Sequence, residues 1–411
     1  MVNNRLKILF LTNCSPFPIR GGQMRRTYNI LKGLSKRHDV YLLSLYEDKM
    51  ENDPKNIQHL RNFCKYVELL PAPSKILSYA MLIRLLRSLI SKNPYTIWRH
   101  YSYSYLKRIH ELTSDIKFDL IHCDILPLAY TIKDIKDIPC TITDHDVSYL
   151  KALRMAENSN NILLKLFLYM EAYKLKRLES RVFEKVEVGI VVSEVDKNRL
   201  KKLCPKGNFE VIENGVDTDE FKPDYMNSEA DTLSWVGGFG HFPNREGIYF
   251  FLEKIYPLIK NKISNVKLYL VGGDVPNKLR RLAETDTSVR ITGYVDDPIP
   301  YIQNTSIFIA PILSGSGTRL KILEAMAVGK AIVTTSVGCE VIEGINETHY
   351  LVADNPEDFA KCIIQCLKDR SLQKYLGANA RQLVQQKYDW EIISNKLDIV
   401  YQKLKSSSRN L

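Results

Sequence analysis

Short apolar runs recur along the chain, each followed by a longer stretch with helical spacing. In the first half the runs are KILFLT, DVYLLSLY, FDLIHC, PCTITD and VEVGIVVS, separated by patterns such as QMRRTYNILKGLSKR. Runs that stay apolar without strict alternation read as strands covered on both faces, and their alternation with helical patterns predicts parallel βαβ units. The second half repeats the scheme with TLSWVG, VKLYLVG, VRITG, SIFIAPI and AIVTT around GIYFFLEKIYPLIK and PEDFAKCIIQCLKD. The pattern predicts an α/β protein of two doubly wound, Rossmann-like domains, at residues 1–212 and 233–388. Between them Glu213 to Thr232 is polar and turn-rich, with Pro223, and reads as a linker. No fixed-period repeat is present.

Composition supports two cores: the 411 residues are 45% apolar and 26% charged. The eight cysteines include no C-x-x-C pair. Cys362 and Cys366 fall at i,i+4 in a helical pattern, so buried free thiols in a reducing compartment are expected, with no zinc site. The N-terminal MVNNRLKILFLTN fits a first buried strand better than a signal peptide. The stretch from Ile76 to Ile90, ILSYAMLIRLLRSLI, contains Arg84 and Arg87 and falls short of a bilayer span. A cytoplasmic protein is expected.

Charge alters this picture in one half only. Residues 1–210 hold 35 Lys and Arg against 22 Asp and Glu, whereas residues 211–411 hold 23 against 25. The net +11 therefore belongs to the first domain. Two of its segments, Ile76 to Lys92 and Ile162 to Arg177, mix bulky apolar residues with basic ones. Such segments suit peripheral contact with an anionic membrane, although a core-facing helix with a solvated basic edge gives the same pattern. No recognised nucleic-acid-binding motif accompanies the charge, and no nucleic-acid partner is expected.

Open parallel sheets bind ligands outside the carboxyl ends of their strands, which directs attention to two loops. One is PFPIRGGQMRR, Pro16 to Arg26, where Gly21 and Gly22 precede a helix whose free N–H groups suit a phosphate. An ordinary strand-to-helix turn reads the same way. The other is SGSGTRLKILEAMAVGK, Ser314 to Lys330, with Gly315, Ser316, Gly317 and Thr318 at a strand-to-helix junction. If Ser316 caps the helix, the amides of Gly317, Thr318 and Arg319 are free for a ligand, and Arg319 and Lys321 add charge for a diphosphate. Glu324 lies one turn beyond Lys321, where a carboxylate suits the two hydroxyls of a ribose; an ion pair with Lys321 is the plain alternative. The string VGGFGH lacks G-x-G-x-x-G spacing, which counts against a dinucleotide-dependent oxidoreductase. The acidic triplets at Asp144 to Asp146 and Asp217 to Asp219 are common turn compositions and are not read as metal ligands.

Taken in order, the GG loop, TITDHD, ENGVDTDEFKP, GYVDD and APILSGSGTRLKILEAMAVGK resemble the retaining glycosyltransferases of the GT-B fold, family 4, also called group 1, in a GxGTRxK subtype. The resemblance runs from Ile8 to the C-terminal YDWEIISNKLDIVYQKL. It implies two domains facing one another across a cleft, with the acceptor on the first and a nucleotide-diphosphate sugar on the second. A last helix, residues 389–411, would cross back to the first domain. It places Glu324 at the family's ribose-binding glutamate, the second of an E-x7-E pair. The first of that pair is Ser316 here, so the usual contact to the donor sugar does not carry over. The family's Arg and Lys after the first strand of the second domain are also absent. Gly238 and Glu246 stand in that neighbourhood with Asn244 and Arg245 nearby, and Arg319 and Lys321 are expected to replace the lost charges. His145 matches the histidine placed beside the donor sugar, to hydrogen-bond the sugar or the departing phosphate, and the backbone at Tyr294 and Val295 would meet the nucleobase.

The resemblance thus implies His145, Arg319 and Lys321 as catalytic residues. Donor contacts would come from Gly21, Gly22, Asn244, Tyr294, Val295, Gly315, Ser316, Gly317, Thr318 and Glu324. Neither metal nor cofactor is expected. The acceptor would be a saccharide or a lipid-linked glycan of the cell envelope or an exopolysaccharide. A nucleotide-sugar 2-epimerase of the same architecture, turning over donor without acceptor, and an inactive nucleotide-sugar-binding scaffold are the alternatives.

Overall fold

The computed structural model describes residues 5–73, 79–159, 161–224, 229–315 and 317–408. It contains two parallel sheets. The first has seven strands: β1 (Lys7–Thr12), β2 (Asp39–Tyr46), β3 (Tyr66–Pro71), β4 (Leu120–Cys123), β5 (Cys140–Asp144), β6 (Val188–Val191) and β7 (Phe209–Val211). Their spatial order is β3-β2-β1-β4-β5-β6-β7. The second has six: β8 (Thr232–Val236), β9 (Lys267–Val271), β10 (Val289–Gly293), β11 (Ile307–Ala310), β12 (Ala331–Thr334) and β13 (Leu351–Val352), in the order β10-β9-β8-β11-β12-β13. The chain divides into two compact units, Met1–Glu213 with Ile393–Leu411, and Asn214–Ile392.

The central strands form where expected because helices cover both faces. Every residue of β4, β5, β6, β11 and β12 is buried. The strands absent from the expectation, β3, β7 and β13, lie at sheet edges and are only partly buried. An edge strand with one open side carries mixed polarity, so it lacks the continuous apolar signature.

The stretch expected as a linker is no loose connector over its described residues. Val216 and Phe221 are buried in the second core. Thr218 Oγ1 donates to Asp389 Oδ2 at 2.6 Å, and Arg381 donates to the carbonyl of Phe221 at 3.0 Å. The Asp217 carboxylate accepts from the N–H groups of Asp219 and Glu220 at 3.0 and 2.9 Å, which makes that acidic triplet a turn.

The final helix, Trp390–Ser408, begins in the second unit and from Ile393 belongs to the first. Its first turn closes on Gly215, where a Cβ would lie 2.8 Å from the Trp390 ring. Further along, a Cβ on Gly33 would lie 2.1 Å from Ser394 Oγ, and Asp398 Oδ1 sits 2.9 Å from His38 Nε2. None of the eight cysteines is in a disulfide, and five of them are buried. No helix among the described residues is long and apolar enough to cross a membrane.

Candidate functional site

In a doubly wound sheet, the crevice at the carboxyl ends of the strands opens where strand order reverses. In the second unit that point lies between β8 and β11. Beyond β8 the chain turns through Gly237, whose N–H donates to Val271 O at 2.9 Å. A Cβ on Gly272 would lie 2.0 Å from Gly237 O, so these two loops meet backbone to backbone. The next helix, Phe242–Phe250, carries Asn244 on its first turn. Asn244 Nδ2 donates to Gly238 O at 2.8 Å, and its Oδ1 accepts from Lys321 Nζ at 2.9 Å.

The loop after β11 requires glycine at two places. Gly315 has φ +117° and Gly317 φ +79°, conformations that side chains resist. A Cβ at Gly315 would also come within 2.9 Å of the Arg319 guanidinium. Ser314 Oγ donates to Glu246 Oε2 at 2.6 Å, joining this loop to the Phe242–Phe250 helix. Thr318 Oγ1 is buried with no hydrogen-bond partner among the described residues.

The helix that follows spans Leu320–Ala327, and its N-cap position is Arg319, with no side-chain cap. This corrects the expected capping by Ser316: the cap falls three positions later, after two glycines with positive φ. Ser316 itself lies outside the described residues.

Lys321 sits on the first turn of this helix, its Nζ 4.4 Å from the centroid of the Trp235 ring. Trp235 is buried in β8, and a Cβ on Gly237 would lie 2.6 Å from the same Nζ. Loss of water and the neighbouring Arg319 guanidinium pull the Lys321 pKa from 10.5 down to about 7, with the Glu324 carboxylate opposing them. Lys321, Arg319, Glu324, Asn244 and Trp235 therefore form one cluster. Sequence reading missed Trp235, which counts there only as one more apolar strand residue.

Tyr294 and Val295 follow Gly293 (φ +75°) at the end of β10, two strands from β8. Tyr294 is 71% exposed, and its Cβ lies 3.4 Å from the position a Cβ on Gly273 would take. Val295 is half-buried.

The remaining expected residues belong to the first unit. Gly22 opens the Gly22–Ser35 helix and Gly21 is its N-cap, at φ −170°. That is extended backbone open to any residue, and a Cβ there would meet nothing within 4 Å. The backbone therefore does not require glycine at position 21.

His145 follows β5. Its Nε2 lies 2.7 Å from the carbonyl of Asp124, the residue after β4, and 3.8 Å from Asp124 Oδ1. A carbonyl only accepts, so Nε2 carries the proton and Nδ1 is left as an acceptor in the neutral ring. Burial lowers the His145 pKa below the usual histidine value. The Asp124 carboxylate accepts from Thr27 Oγ1 and lies 3.6 Å from His122 Nε2. Burial alone would raise its pKa, but the His122 hydrogen bond and the two histidines hold it below the usual range. Arg26 donates to the carbonyls of Ile212 and Glu213 at 2.7 and 2.6 Å, and burial brings its pKa down to about 10. Asp124 went unnoticed in the sequence, where it is a single acid after an apolar run. Among the described residues no group of three or more His, Cys, Asp or Glu is placed to hold a metal ion.

Comparison with known proteins identifies the class. A family model described as Glycosyltransferase Family 4 matches residues 20–220, and one described as Glycosyl transferases group 1 matches residues 230–369. An uncharacterized 44.6 kDa protein in the cps region of Klebsiella pneumoniae is 26% identical over 397 residues, covering 93% of this chain and 96% of that protein. The capsular polysaccharide biosynthesis glycosyltransferase CapM of Staphylococcus aureus is 24% identical over 231 residues, 52% of this chain and 60% of CapM. Among solved structures, sucrose-phosphate synthase from Thermosynechococcus elongatus superposes with a TM-score of 0.73 at 20% identity, covering 98% of this chain and all of that one. Anabaena Alr3699/HepE in complex with UDP gives a TM-score of 0.68 at 14% identity, covering 97% of this chain and 100% of its own.

The two models take in most of the chain, one for each unit. The chain belongs to the GT-B-fold glycosyltransferases and is an enzyme of that class.

Proposed function

We propose that this enzyme transfers a sugar from a nucleotide-diphosphate sugar to a hydroxyl of a saccharide or lipid-linked acceptor, with retention at the anomeric carbon, in cell-envelope or exopolysaccharide synthesis. The observation that carries the donor reading is the convergence of Lys321, Arg319 and Glu324 with Asn244 at the switch point of the second sheet. A leaving diphosphate develops charge as its bond to the sugar breaks, and two cations fixed beside it stabilise that charge without a metal ion. Glu324, one turn along the helix, accepts from the ribose hydroxyls. Gly315, Gly317 and Thr318 line the diphosphate, while Tyr294 and Val295 lie at the end of the sheet suited to the nucleobase. His145, with Nε2 engaged by Asp124, accepts a sugar hydroxyl through Nδ1 and holds the sugar in place. The relative named for capsular polysaccharide biosynthesis supports an envelope product, and the basic first unit supports a peripheral position on the inner face of the membrane.

The test is calorimetric titration with a panel of nucleotides and nucleotide sugars, followed by NMR of the product of the tightest-binding donor with candidate acceptors. Binding of one nucleotide-sugar class and a product of unchanged anomeric configuration are expected. An inverted product overturns retention. Isomerised donor without acceptor points to an epimerase, and NAD(H) binding without nucleotide-sugar binding overturns the donor reading.

A further inference from the structure

Two helices of the first unit turn their apolar stripes to solvent. In Tyr79–Ile90, Tyr79 is 80% exposed, Leu82 51%, Leu86 53% and Ile90 90%, spaced three to four residues apart along one face. The buried polar residue of the same helix is Ser88, the reverse of what a core-facing amphipathic helix shows. In Ile162–Phe183 the first turns behave alike, with Ile162 at 66% exposure, Leu163 at 76% and Leu166 at 60%, and Tyr173 further along is 61% exposed. The opposite side of its later turns is conventional, burying Ala172, Leu175 and Leu178. The two helices are tied together: Lys174 Nζ, on the second, donates to the carbonyls of Ser88 and Leu89 that end the first. Glu171 Oε2 accepts from Tyr95 N–H at 2.7 Å and fixes the following turn. Exposed apolar side chains gathered on two helices tied to one another mark an interaction site.

Charge selects the partner. Residues 79–92 contain Arg84, Arg87 and Lys92 and no acid, and residues 162–170 contain Lys165 and no acid. A second copy related by a two-fold axis would set this cationic face against itself. An anionic lipid surface offers both an apolar layer and opposite charge, and interfacial tyrosines such as Tyr79 and Tyr173 suit the headgroup level. We propose that this two-helix face seats the enzyme on an anionic bilayer surface, with the leucine and isoleucine side chains entering the headgroup boundary and the flanking cations meeting lipid phosphates. The proposal deepens the envelope-acceptor reading and rests on it for its purpose, but lipid binding is measured without turnover, so the two fail separately.

The experiment is sedimentation of the full chain with vesicles of phosphatidylcholine alone or with phosphatidylglycerol, at low and moderate salt. Variants are Leu82→Asp with Leu86→Asp, Leu163→Asp with Leu166→Asp, and Arg87→Glu with Lys92→Glu. Binding is expected only with phosphatidylglycerol, falling steeply with salt, and each double variant should bind about tenfold more weakly. Circular dichroism and nucleotide-sugar affinity check that the variants remain folded, and Leu→Ser pairs replace any that do not. Equal binding to neutral vesicles, or binding unaffected in all the variants, overturns the proposal. Concentration-dependent dimers that the same variants abolish would assign the face to self-association instead.

Discussion

Lys321 makes the donor site sensitive to pH in a predictable direction. Its pKa is about 7 because burial and Arg319 outweigh Glu324. A fall from 10.5 corresponds to roughly 5 kcal/mol against the charged form, at about 1.4 kcal/mol per pH unit. A bound diphosphate supplies the missing counter-charge and drives the pKa back up. Above pH 7, therefore, the donor binds together with a proton. Only the protonated fraction of the enzyme is competent, so apparent affinity is flat at acid pH. It falls by about fifteenfold between pH 7 and 8.5. Calorimetry with a nucleotide sugar, whose diphosphate diester does not ionise in this range, separates proton uptake by repeating the titration in buffers of different ionisation enthalpy. Close to one proton per ligand is expected at pH 8.5, taken up by Lys321. Lys321→Met should bind more weakly at pH 6.5 and take up no proton, while Lys321→Arg should recover affinity without the pH dependence. No uptake by the wild-type enzyme, or undiminished uptake by Lys321→Met, refutes the reasoning. The same depression bears on folding. The native state binds fewer protons than the unfolded one between about pH 7 and 10.5, so this residue makes stability rise with pH across that window.

Glu324→Gln should weaken nucleotide-sugar binding by about tenfold or more, since a hydrogen bond to a charged group is worth roughly 1.5 to 3 kcal/mol, with Tm unchanged because the side chain is only half-buried; unaltered affinity in calorimetry would remove the ribose role. His145→Ala should cut kcat with little change in Tm, as its ring is partly open and makes one hydrogen bond to a carbonyl, and a large drop in thermal stability would mark it as structural. Glu179 is buried with its pKa raised to about 8, above its usual 4.5, beside Asp144, whose pKa burial also raises. The native state then holds more protons than the unfolded one between those limits, and stability should fall as pH rises from about 4.5 to 8. Glu179→Gln should flatten that decline in urea unfolding, stabilising the protein at pH 9 and not at pH 5; a parallel shift at both values would refute the account by burial.

How much of this was legible depended on how local the cause is. β1, β2 and the buried centres of both sheets appear as apolar runs because two covered faces leave no place for polar residues. The edge strands β3, β7 and β13 do not, and the polar stretch around Val216 and Phe221 hides two core residues among turn formers. The helix start after β11 was misjudged because Gly315 and Gly317 prolong the loop through conformations that no serine cap organises. Lys321 and Glu324 were found from their spacing on one helix. Their partner Asn244 lies 77 positions away and Trp235 one strand over, so only the folded sheet shows that the ammonium sits in a dry corner. The basic apolar helices show the same limit. Periodicity reveals a stripe along Tyr79–Ile90 but not which way it faces, because an apolar stripe reads identically whether it meets a core or water. Ser88 settles the direction: its burial, together with Lys174 reaching its carbonyl, turns the leucines outward. The part of this chain hardest to read from sequence is thus the part whose apolar side chains the fold leaves exposed.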